Sequence, residues 1–288
     1  MQNFLVLDGK KVAQSVKAEL LNEMNEFQAK WGRKPSLHVM LVGEDSASKI
    51  YVGHKEKMAA ELGYKSEVWR IPETITQKDL ETHLQKLIKD PLVDGILVQL
   101  PLPKHLNTER IMQMIPFDKD VDGLTATALG ALAAGNAPAV SCTPSGVMEI
   151  LKFYKIDVKG KNAVVIGRSQ IVGKPMALLL LNADATVTIC HSRTVDTKAH
   201  TAKADIVVVA AGKKHLLAAK DFKEGAIVID VGMHRDENNK LQGDVNPEGL
   251  ENHVKAATPV PGGVGPMTIM MLMKNTLRLA DYRMKHGQ

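Results

Sequence analysis

One short segment of the sequence places a hydroxyl, a phenol and an amine at helical spacing. The segment is Ser48-Lys-Ile-Tyr51-Val-Gly-His-Lys55, and residues three and four apart share one face of a helix. We therefore expect Ser48, Tyr51 and Lys55 to form one stripe on which the phenol and the amine can meet. A lysine beside a phenol in a desolvated cleft can lose its proton near neutral pH and act in acid–base chemistry. The alternative is an amphipathic helix with a solvated lysine.

A polar residue lies just after the predicted strand 93–97, in the segment Val98-Gln-Leu-Pro-Leu-Pro103. This residue is Gln99, and Pro101 and Pro103 break the chain soon after it. Ligands in open α/β sheets collect at the carboxyl ends of strands, so we expect the Gln99 side chain to point into a cleft. A surface glutamine before a proline turn is the alternative.

Three carboxylates alternate along a loop at Asp118, Asp120 and Asp122. A divalent-metal site is one interpretation, but no glutamate or histidine ligand follows at a suitable spacing. The histidines of the chain also lack the spacing of a zinc site. We therefore expect no metal, and we interpret Asp122 as a hydrogen-bond acceptor for a polar ligand.

A glycine turn between a strand and a helix is the candidate phosphate-binding site. Its sequence is Val164-Val-Ile-Gly167-Arg-Ser-Gln-Ile-Val-Gly173-Lys-Pro175. Gly167 permits a tight turn, and the following helix presents free N–H groups and the positive end of its dipole to an anion. The usual fingerprint is G-x-G-x-x-G, whereas this turn has G-x-S and its last glycine at Gly173. An ordinary glycine turn is the alternative.

The end of the next strand distinguishes two cofactors. NAD enzymes usually place an aspartate or glutamate there, and it binds the ribose 2′-hydroxyl. This sequence has His191-Ser192-Arg193-Thr194 and no carboxylate before Asp196. A hydroxyl with a guanidinium suits a 2′-phosphate, so the sequence favours NADP. A solvated basic turn is the alternative.

The elements that must position these residues alternate between strand and helix patterns. This alternation predicts an α/β fold with a mostly parallel sheet and helices on its faces. Residues 117–141, with their small-residue stretch, are interpreted as a connector, and a Rossmann-like half follows. The predicted helices are 12–27, 46–62, 76–88, 143–154, 173–182, 197–203 and 267–282, and the predicted strands are 37–42, 68–71, 93–97, 162–166, 186–190, 206–210 and 226–231.

Composition excludes several classes of protein. Of 288 residues, 44% are hydrophobic and 24% charged, which is ordinary globular usage and excludes a largely disordered chain. The net charge of +5 is spread along the sequence, and aromatic residues are only 4%, so we expect no nucleic-acid partner. No apolar run is long enough to span a bilayer, and the segment from Met1 to Asp8 lacks the features of a secretory signal. Two cysteines cannot form a disulfide framework, and they suggest a reducing compartment.

Six segments of the sequence, in their order along the chain, resemble one known family. It is the bifunctional methylenetetrahydrofolate dehydrogenase/methenyltetrahydrofolate cyclohydrolase, in the length without a synthetase domain, and the resemblance extends over nearly the whole chain. One departure is Ser141-Cys-Thr-Pro144, where the family commonly has Pro-Cys-Thr-Pro, and it removes no expected chemical group. The matching segments are Val42–Lys55, Asp94–Pro103, Lys119–Gly123, Gly167–Pro175, Asp230–Gly232 and Pro259–Thr268.

The resemblance implies two lobes with a cleft between them. It places a folate-binding catalytic domain at residues 1–122 plus 267–288, a Rossmann NADP-binding domain at 141–266 and a connector at 123–140. The C-terminal helix is expected to return to the first lobe. The family is usually a cytosolic homodimer, and its bacterial members mostly use NADP.

The resemblance also implies a two-step reaction on tetrahydrofolate derivatives in one-carbon metabolism. Hydride passes from the methylene carbon to NADP, and water then converts the methenyl product to 10-formyltetrahydrofolate. The family uses Lys55 for proton transfer, Tyr51 for stacking on the folate, Gln99 for tuning Lys55 and Asp122 for anchoring the pterin. Further implied substrate contacts are Val98, Leu100, Pro261, Gly262 and Gly265, and implied cofactor contacts are Gly167, Arg168, Ser169, Ser192, Arg193 and Met233.

Two other functions stay open at this point. Short-chain dehydrogenases also pair a tyrosine with a lysine four residues later, but there the pair follows the dinucleotide fingerprint within one domain. In this sequence Tyr51 and Lys55 precede the fingerprint by more than a hundred residues. A non-catalytic nucleotide-binding regulator is the second alternative, and it gives no reason for Tyr51, Lys55 and Gln99 to occur together.

Overall fold

A computed structural model describes residues 4–287 of the chain. Met1 to Asn3 and Gln288 lie outside the described residues. Part of the Met1 to Asp8 segment, which is expected to lack a secretory signal, is therefore not described. The helices are α1 (Gly9–Trp31), α2 (Ser46–Leu62), α3 (Gln77–Lys89), α4 (Thr108–Met114), α5 (Ala126–Ala133), α6 (Cys142–Phe153), α7 (Gly173–Asn182), α8 (Thr197–Thr201) and α9 (Gly265–Lys285). The strands are β1 (Leu5–Val6), β2 (Ser36–Val42), β3 (Lys65–Ile71), β4 (Gly95–Val98), β5 (Asn162–Ile166), β6 (Thr186–Cys190), β7 (Ile206–Val209), β8 (Ile227–Asp230), β9 (His234–Arg235), β10 (Leu241–Gln242) and β11 (Ala256–Ala257).

One compact unit contains a three-stranded parallel sheet in the order β3-β2-β4. The unit comprises Val16–Cys142 and the described part of Ile269–Gln288. Its central strand β2 is buried along its whole length, which is typical of a parallel strand covered on both faces. Helix α3 places Leu80, Leu84 and Leu87 in the core at helical spacing.

The ends of α2 are determined by residues that sequence analysis can recognise. Asp45 lies before the helix, and its carboxylate accepts a hydrogen bond from the Ser48 N–H (2.8 Å). Gly63 follows the last turn with φ of 82°, a conformation that favours glycine. The predicted bounds of this helix, which contains Tyr51 and Lys55, are therefore confirmed.

The other compact unit contains a six-stranded parallel sheet in the order β1-β11-β8-β7-β5-β6. The unit comprises the described part of Met1–Ser15 and Thr143–Thr268. Strands β5, β7 and β8 are buried almost throughout because each has neighbours on both sides. The predicted α/β class and Rossmann-like half are confirmed. The small hairpin of β9 and β10 is antiparallel and was not predicted.

The two compact units are bounded at other residues than the expected domains, whose bounds stay a prediction. Strand β1 pairs with β11 of the six-stranded sheet, so the described residues up to Ser15 are part of the second unit. The expected connector contains α5, which begins after the Thr125 cap, and this segment is part of the first unit. Helix α9 begins in one unit, and from Ile269 it belongs to the unit of β2, as the returning helix was expected to do.

Candidate functional site

A lysine and a glutamine form the centre of the first candidate site. The Lys55 Nζ donates a hydrogen bond to the Gln99 Oε1 (2.9 Å), and both side chains are partly buried. Gln99 directly follows β4, and its N–H donates to the Met40 carbonyl of β2 (2.9 Å). Its Nε2 donates to the Leu100 carbonyl (2.7 Å), which fixes the amide so that the oxygen faces Lys55. The structure thus brings together an amine from α2 and an amide from the carboxyl edge of the sheet.

Tyr51, the tyrosine of the predicted stripe, is more exposed than Lys55 and Gln99. Its side chain is 44% exposed, and its hydroxyl makes no hydrogen bond within the described part of the chain. Lys55 donates to Gln99, and within the described residues no hydrogen bond joins it to the Tyr51 phenol, so the expected meeting of phenol and amine stays a prediction. Ser48 is buried, and its hydroxyl donates to the Leu100 carbonyl at 3.5 Å, so it joins α2 to the segment after β4. The exposed ring of Tyr51 can stack on a flat ligand.

Asp122 lies within electrostatic reach of Lys55. Burial raises the pKa of its carboxyl above the usual range, while the Lys55 ammonium and a hydrogen bond from the Cys142 thiol oppose that rise. The thiol Sγ lies 3.6 Å from the Asp122 Oδ1, and burial and this carboxylate raise the thiol pKa. The Asn275 amide of α9 donates to the Val121 and Val140 carbonyls, both at 2.8 Å. These contacts fix the segment that contains Asp122.

Lys119, three residues before Asp122, has a structural role that the alternating carboxylates did not indicate. Lys119 is 2% exposed and donates to the Leu87, Ile88 and Asp90 carbonyls at the end of α3. Burial lowers the pKa of Lys119 to about 8. The Lys119 carbonyl accepts from the Ile96 N–H (2.8 Å), and Asp120 forms a parallel bridge with Ile96, so this segment lies beside β4 just before Asp122.

The other two carboxylates of the loop, Asp118 and Asp120, bind different partners within the protein. Asp118 forms an ion pair with Arg283 of α9, and Asp120 accepts from the Thr125 N–H (2.8 Å). Burial raises the pKa of Asp120 to about 6. No group of three or more histidine, cysteine, aspartate or glutamate side chains within residues 4–287 is arranged to hold a metal ion.

The second candidate site is the turn between β5 and α7. Gly167 has φ of 123°, and a Cβ at this position would lie 2.2 Å from the Ala210 carbonyl oxygen. A Cβ on Gly173 would lie 2.2 Å from the Gly167 carbonyl oxygen, so the first turn of α7 packs directly on the turn. Both positions require glycine, and the backbone stays accessible to a ligand phosphate. The Ser169 hydroxyl accepts from the Val172 and Gly173 N–H groups (3.1 and 3.3 Å) and stabilises this turn.

The basic turn after β6 lies at the same edge of the sheet, because β5 and β6 are parallel neighbours. Ser192 and Arg193 are exposed, and the Arg193 guanidinium forms no ion pair within the described residues. Asp196 is the cap of α8, where its Oδ1 accepts from the Ala199 N–H (3.0 Å). Arg168 is also exposed. The residues present therefore fit a dinucleotide with a 2′-phosphate.

Met233 and the Pro261–Gly265 segment lie in the unit that contains the six-stranded sheet, whereas Val98 ends β4 and Leu100 follows it in the other unit. Met233 follows β8 and is 58% exposed. In the Pro261–Gly265 segment Pro261 is exposed, and the Gly262 carbonyl accepts from the Gly9 N–H at the start of α1 (2.9 Å). A Cβ on Gly9 would lie 1.7 Å from the Gly263 carbonyl oxygen, so the two backbones touch.

Comparison with known proteins decides the family. Residues 7–122 match the catalytic domain of the tetrahydrofolate dehydrogenase/cyclohydrolase family, and residues 141–284 match its NAD(P)-binding domain. The chain belongs to this family. The bifunctional protein FolD of Bdellovibrio bacteriovorus is 53% identical over 285 residues, which cover 99% of each protein.

Solved structures of dehydrogenase/cyclohydrolase family members agree with this assignment. The FolD structure from Campylobacter jejuni is 46% identical, has a TM-score of 0.93, and the match covers 97% of this chain and 99% of that one. The Trypanosoma brucei FolD, solved with NADP cofactor and an inhibitor, is 37% identical and has a TM-score of 0.91. The match covers 99% of this chain and 100% of that one. The resemblance identified in the sequence is thus confirmed. No helix among the described residues of this family member is long and apolar enough to cross a membrane.

Proposed function

We propose that this chain oxidises 5,10-methylenetetrahydrofolate to 5,10-methenyltetrahydrofolate with NADP and then hydrolyses the product to 10-formyltetrahydrofolate. Both domain models of the family match, so the chain has the parts for both steps of one-carbon metabolism. The observation that supports the chemistry most directly is the Lys55 amine held on the Gln99 oxygen beside the Asp122 carboxyl. An amine, an amide and an acceptor are what proton transfer on a bound, nitrogen-rich substrate requires.

The substrate site is assigned to residues around this amine. Tyr51 offers an exposed aromatic face on which the folate ring stacks, and Asp122 accepts hydrogen bonds from the pterin. Gln99 holds Lys55 in place through the contact described above. The backbone at Val98 and Leu100 completes the proposed contacts in the unit of β2. The family resemblance implies Pro261, Gly262 and Gly265 as further substrate contacts.

The hydrolytic step is assigned to Lys55. The methenyl carbon is cationic, so it repels the ammonium form of the lysine and favours the free amine. The amine accepts a proton from water as the water oxygen bonds to the methenyl carbon. The same proton then goes to N5 as the bond between that carbon and N5 breaks. The second water proton leaves the oxygen as the carbonyl forms, and the carbon stays on N10 as a formyl group. The sum is one water consumed and one proton released, which matches the loss of the cationic charge.

The oxidative step depends on the second candidate site. NADP, when bound, accepts the hydride that leaves the methylene carbon. The turn at Gly167 and the start of α7 hold the phosphates, with Arg168 and Ser169 at its edge. Ser192 and Arg193 hold the 2′-phosphate, and the backbone at Met233 contributes to the cofactor site.

Replacement of Arg193 with alanine is expected to change cofactor preference. A hydrogen bond to a charged group is worth about 1.5–3 kcal/mol, which is roughly ten- to a hundredfold in affinity. We therefore expect Arg193→Ala to raise the KM for NADP by about tenfold or more and to leave the use of NAD nearly unchanged. Steady-state kinetics with each cofactor checks this. Equal losses with both cofactors would show that Arg193 has a structural role.

We also propose that the protein is a cytoplasmic homodimer, as the family resemblance implies. Sedimentation equilibrium at micromolar concentration is expected to give twice the chain mass of 31.4 kDa. A single species at the mass of one chain would contradict the proposed dimer without bearing on the chemistry.

The proposed function is tested by assaying the purified protein for each step alone. Methenyltetrahydrofolate is supplied without cofactor, and its loss of absorbance reports hydrolysis. Methylenetetrahydrofolate is supplied with NADP, and formation of NADPH reports oxidation. Oxidation of other substrates but not of this folate would favour a different NADP oxidoreductase, and binding of NADP without either turnover would favour a nucleotide-binding regulator.

A further inference from the structure

A buried carboxylate fills a loop at the carboxyl edge of the six-stranded sheet. Asp244 is fully buried, and its Oδ2 accepts from the Ala211 and Gly212 N–H groups at 2.6 and 2.9 Å. Its Oδ1 accepts from the Lys213 N–H at 3.0 Å. Consecutive N–H groups that converge in this way form a concavity for an anion. Here the anion belongs to the protein, so the loop after β7 is fixed before any ligand arrives.

The same carboxylate binds a histidine from a different loop. The His234 Nε2 lies 2.7 Å from the Asp244 Oδ1, and the His234 side chain is 23% exposed. His234 begins β9 and directly follows Met233, whose backbone we assign to the cofactor site. Asp244 thus joins the loop after β7 to the loop after β8.

A second carboxylate and two glycines hold Asp244 in place. Asp230, at the end of β8, accepts from the Gly232, Asp244 and Val245 N–H groups at 2.8, 3.0 and 2.9 Å. A Cβ on Gly232 would lie 2.5 Å from the Asp244 Oδ1, and a Cβ on Gly243 would lie 1.8 Å from the Asp230 Oδ2. The close approach of these carboxylates to the backbone therefore requires glycine at both positions.

The joined loops border the phosphate turn. The residue before the Asp244-bound loop is Ala210, whose carbonyl oxygen occupies the space that a Cβ on Gly167 would need. The Ala210 N–H donates to the Ile166 carbonyl of β5 at 2.8 Å. A shift of the loop after β7 would therefore reach the turn at Gly167 through direct contact.

We propose that Asp244 is a positioning residue for the oxidative step, which holds the loop after β7 directly and the backbone at Met233 through His234. The proposal rests on the assignment of this edge of the sheet as the NADP site. It concerns the dehydrogenase alone, because hydrolysis of the methenyl compound needs no cofactor. The two activities of one protein therefore provide an internal control.

The test replaces His234 with phenylalanine, which keeps a ring of similar size and removes the N–H donor. We expect the Kd for NADP, measured by isothermal titration calorimetry, to rise about tenfold, as for loss of one hydrogen bond to a charged group. We expect kcat/KM of the dehydrogenase to fall by a similar factor and hydrolysis of methenyltetrahydrofolate to be unchanged. His234→Gln retains an N–H donor and is expected to recover most of the affinity.

A matched control is the same substitution at His253. Its Nε2 contacts the Phe222 carbonyl (2.8 Å), and its own carbonyl accepts from the Gly225 N–H before β8 starts, at the opposite edge of the sheet. His253→Phe is expected to leave NADP binding unchanged. An unchanged Kd in His234→Phe, an equal rise in His253→Phe, or equal losses of both activities in His234→Phe would each overturn the proposal.

A second variant tests the carboxylate itself. Asp244→Asn keeps the shape but turns one of the acceptor oxygens into an N–H donor that opposes the converging N–H groups. We expect its Kd for NADP to rise further than in His234→Phe, with hydrolysis retained. NADP affinity like that of the wild type would overturn the proposal. Because the calorimetric measurement needs no folate, its result stays interpretable if the proposed folate chemistry fails.

Discussion

Replacement of Lys55 with methionine is expected to abolish hydrolysis of methenyltetrahydrofolate. Methionine keeps much of the side-chain length and removes the amine, so the residue can no longer accept the proton from water or return it to N5. A positioned acid–base group typically contributes about 10²–10⁴-fold to the rate, and we expect a loss in that range. Oxidation of the methylene compound needs alignment but no such proton relay, so some dehydrogenase activity is expected to survive. Absorbance assays of the two steps measure both effects.

The matched control for this variant is Lys57→Met. Lys57 lies on the same helix, but its side chain is 77% exposed and its amine is 4.0 Å from the Glu61 carboxylate in a surface pair. An exposed pair of this kind contributes little, so both activities of Lys57→Met should match the wild type. Hydrolysis by a folded Lys55→Met protein at the wild-type rate would show that the assignment of Lys55 is wrong.

Replacement of Gly167 with alanine is expected to impair the oxidation step and to leave the hydrolysis step unchanged. The backbone there has φ of 123°, and the added Cβ would lie 2.2 Å from the Ala210 carbonyl oxygen, so the turn must move. A misplacement of about 1 Å can cost about a hundredfold in rate, and we expect a loss of that size in dehydrogenase kcat/KM with NADP. Hydrolysis of methenyltetrahydrofolate without cofactor is expected to be unchanged.

Gly160→Ala separates the effect of crowding from the effect of backbone conformation. Gly160 also has a positive φ, 67°, but no atom outside its chain neighbours lies within 4 Å of an added Cβ. This control should lose some stability and keep both activities. If Gly167→Ala kept wild-type NADP turnover, or lost both activities together while folded, the turn would not be the cofactor site.

The sequence predicted most accurately the elements that turn residues clearly delimit. Helix α7 and strand β6 have the predicted bounds because glycine turns and polar residues flank short apolar runs. Helix α5 was not predicted because its alanine and glycine residues give only a weak helical periodicity. Strand β1 was missed because two residues give no pattern, and only the distant β11 makes them a strand.

The candidate site was predicted in its residue types and only partly in its contacts. Helical spacing placed Lys55 correctly on α2 but could not show that Gln99, far along the chain, is its partner. The role of Lys119 was also not predictable, because its three acceptors are backbone carbonyls at the end of α3, which no side-chain motif reveals. Contacts to distant backbone depend on the tertiary structure, and spacing within a segment does not encode them.

The central claim is that one chain performs both folate steps with NADP. The most direct measurement is a time course of the purified wild-type protein with methylenetetrahydrofolate and NADP, and separately with NAD, in which absorbance follows the reduced cofactor and the product is identified. We expect NADPH to form together with 10-formyltetrahydrofolate, at a higher kcat/KM with NADP than with NAD. Absence of reduced cofactor with this substrate, or accumulation of methenyltetrahydrofolate with no formyl product beyond spontaneous hydrolysis, would contradict the claim.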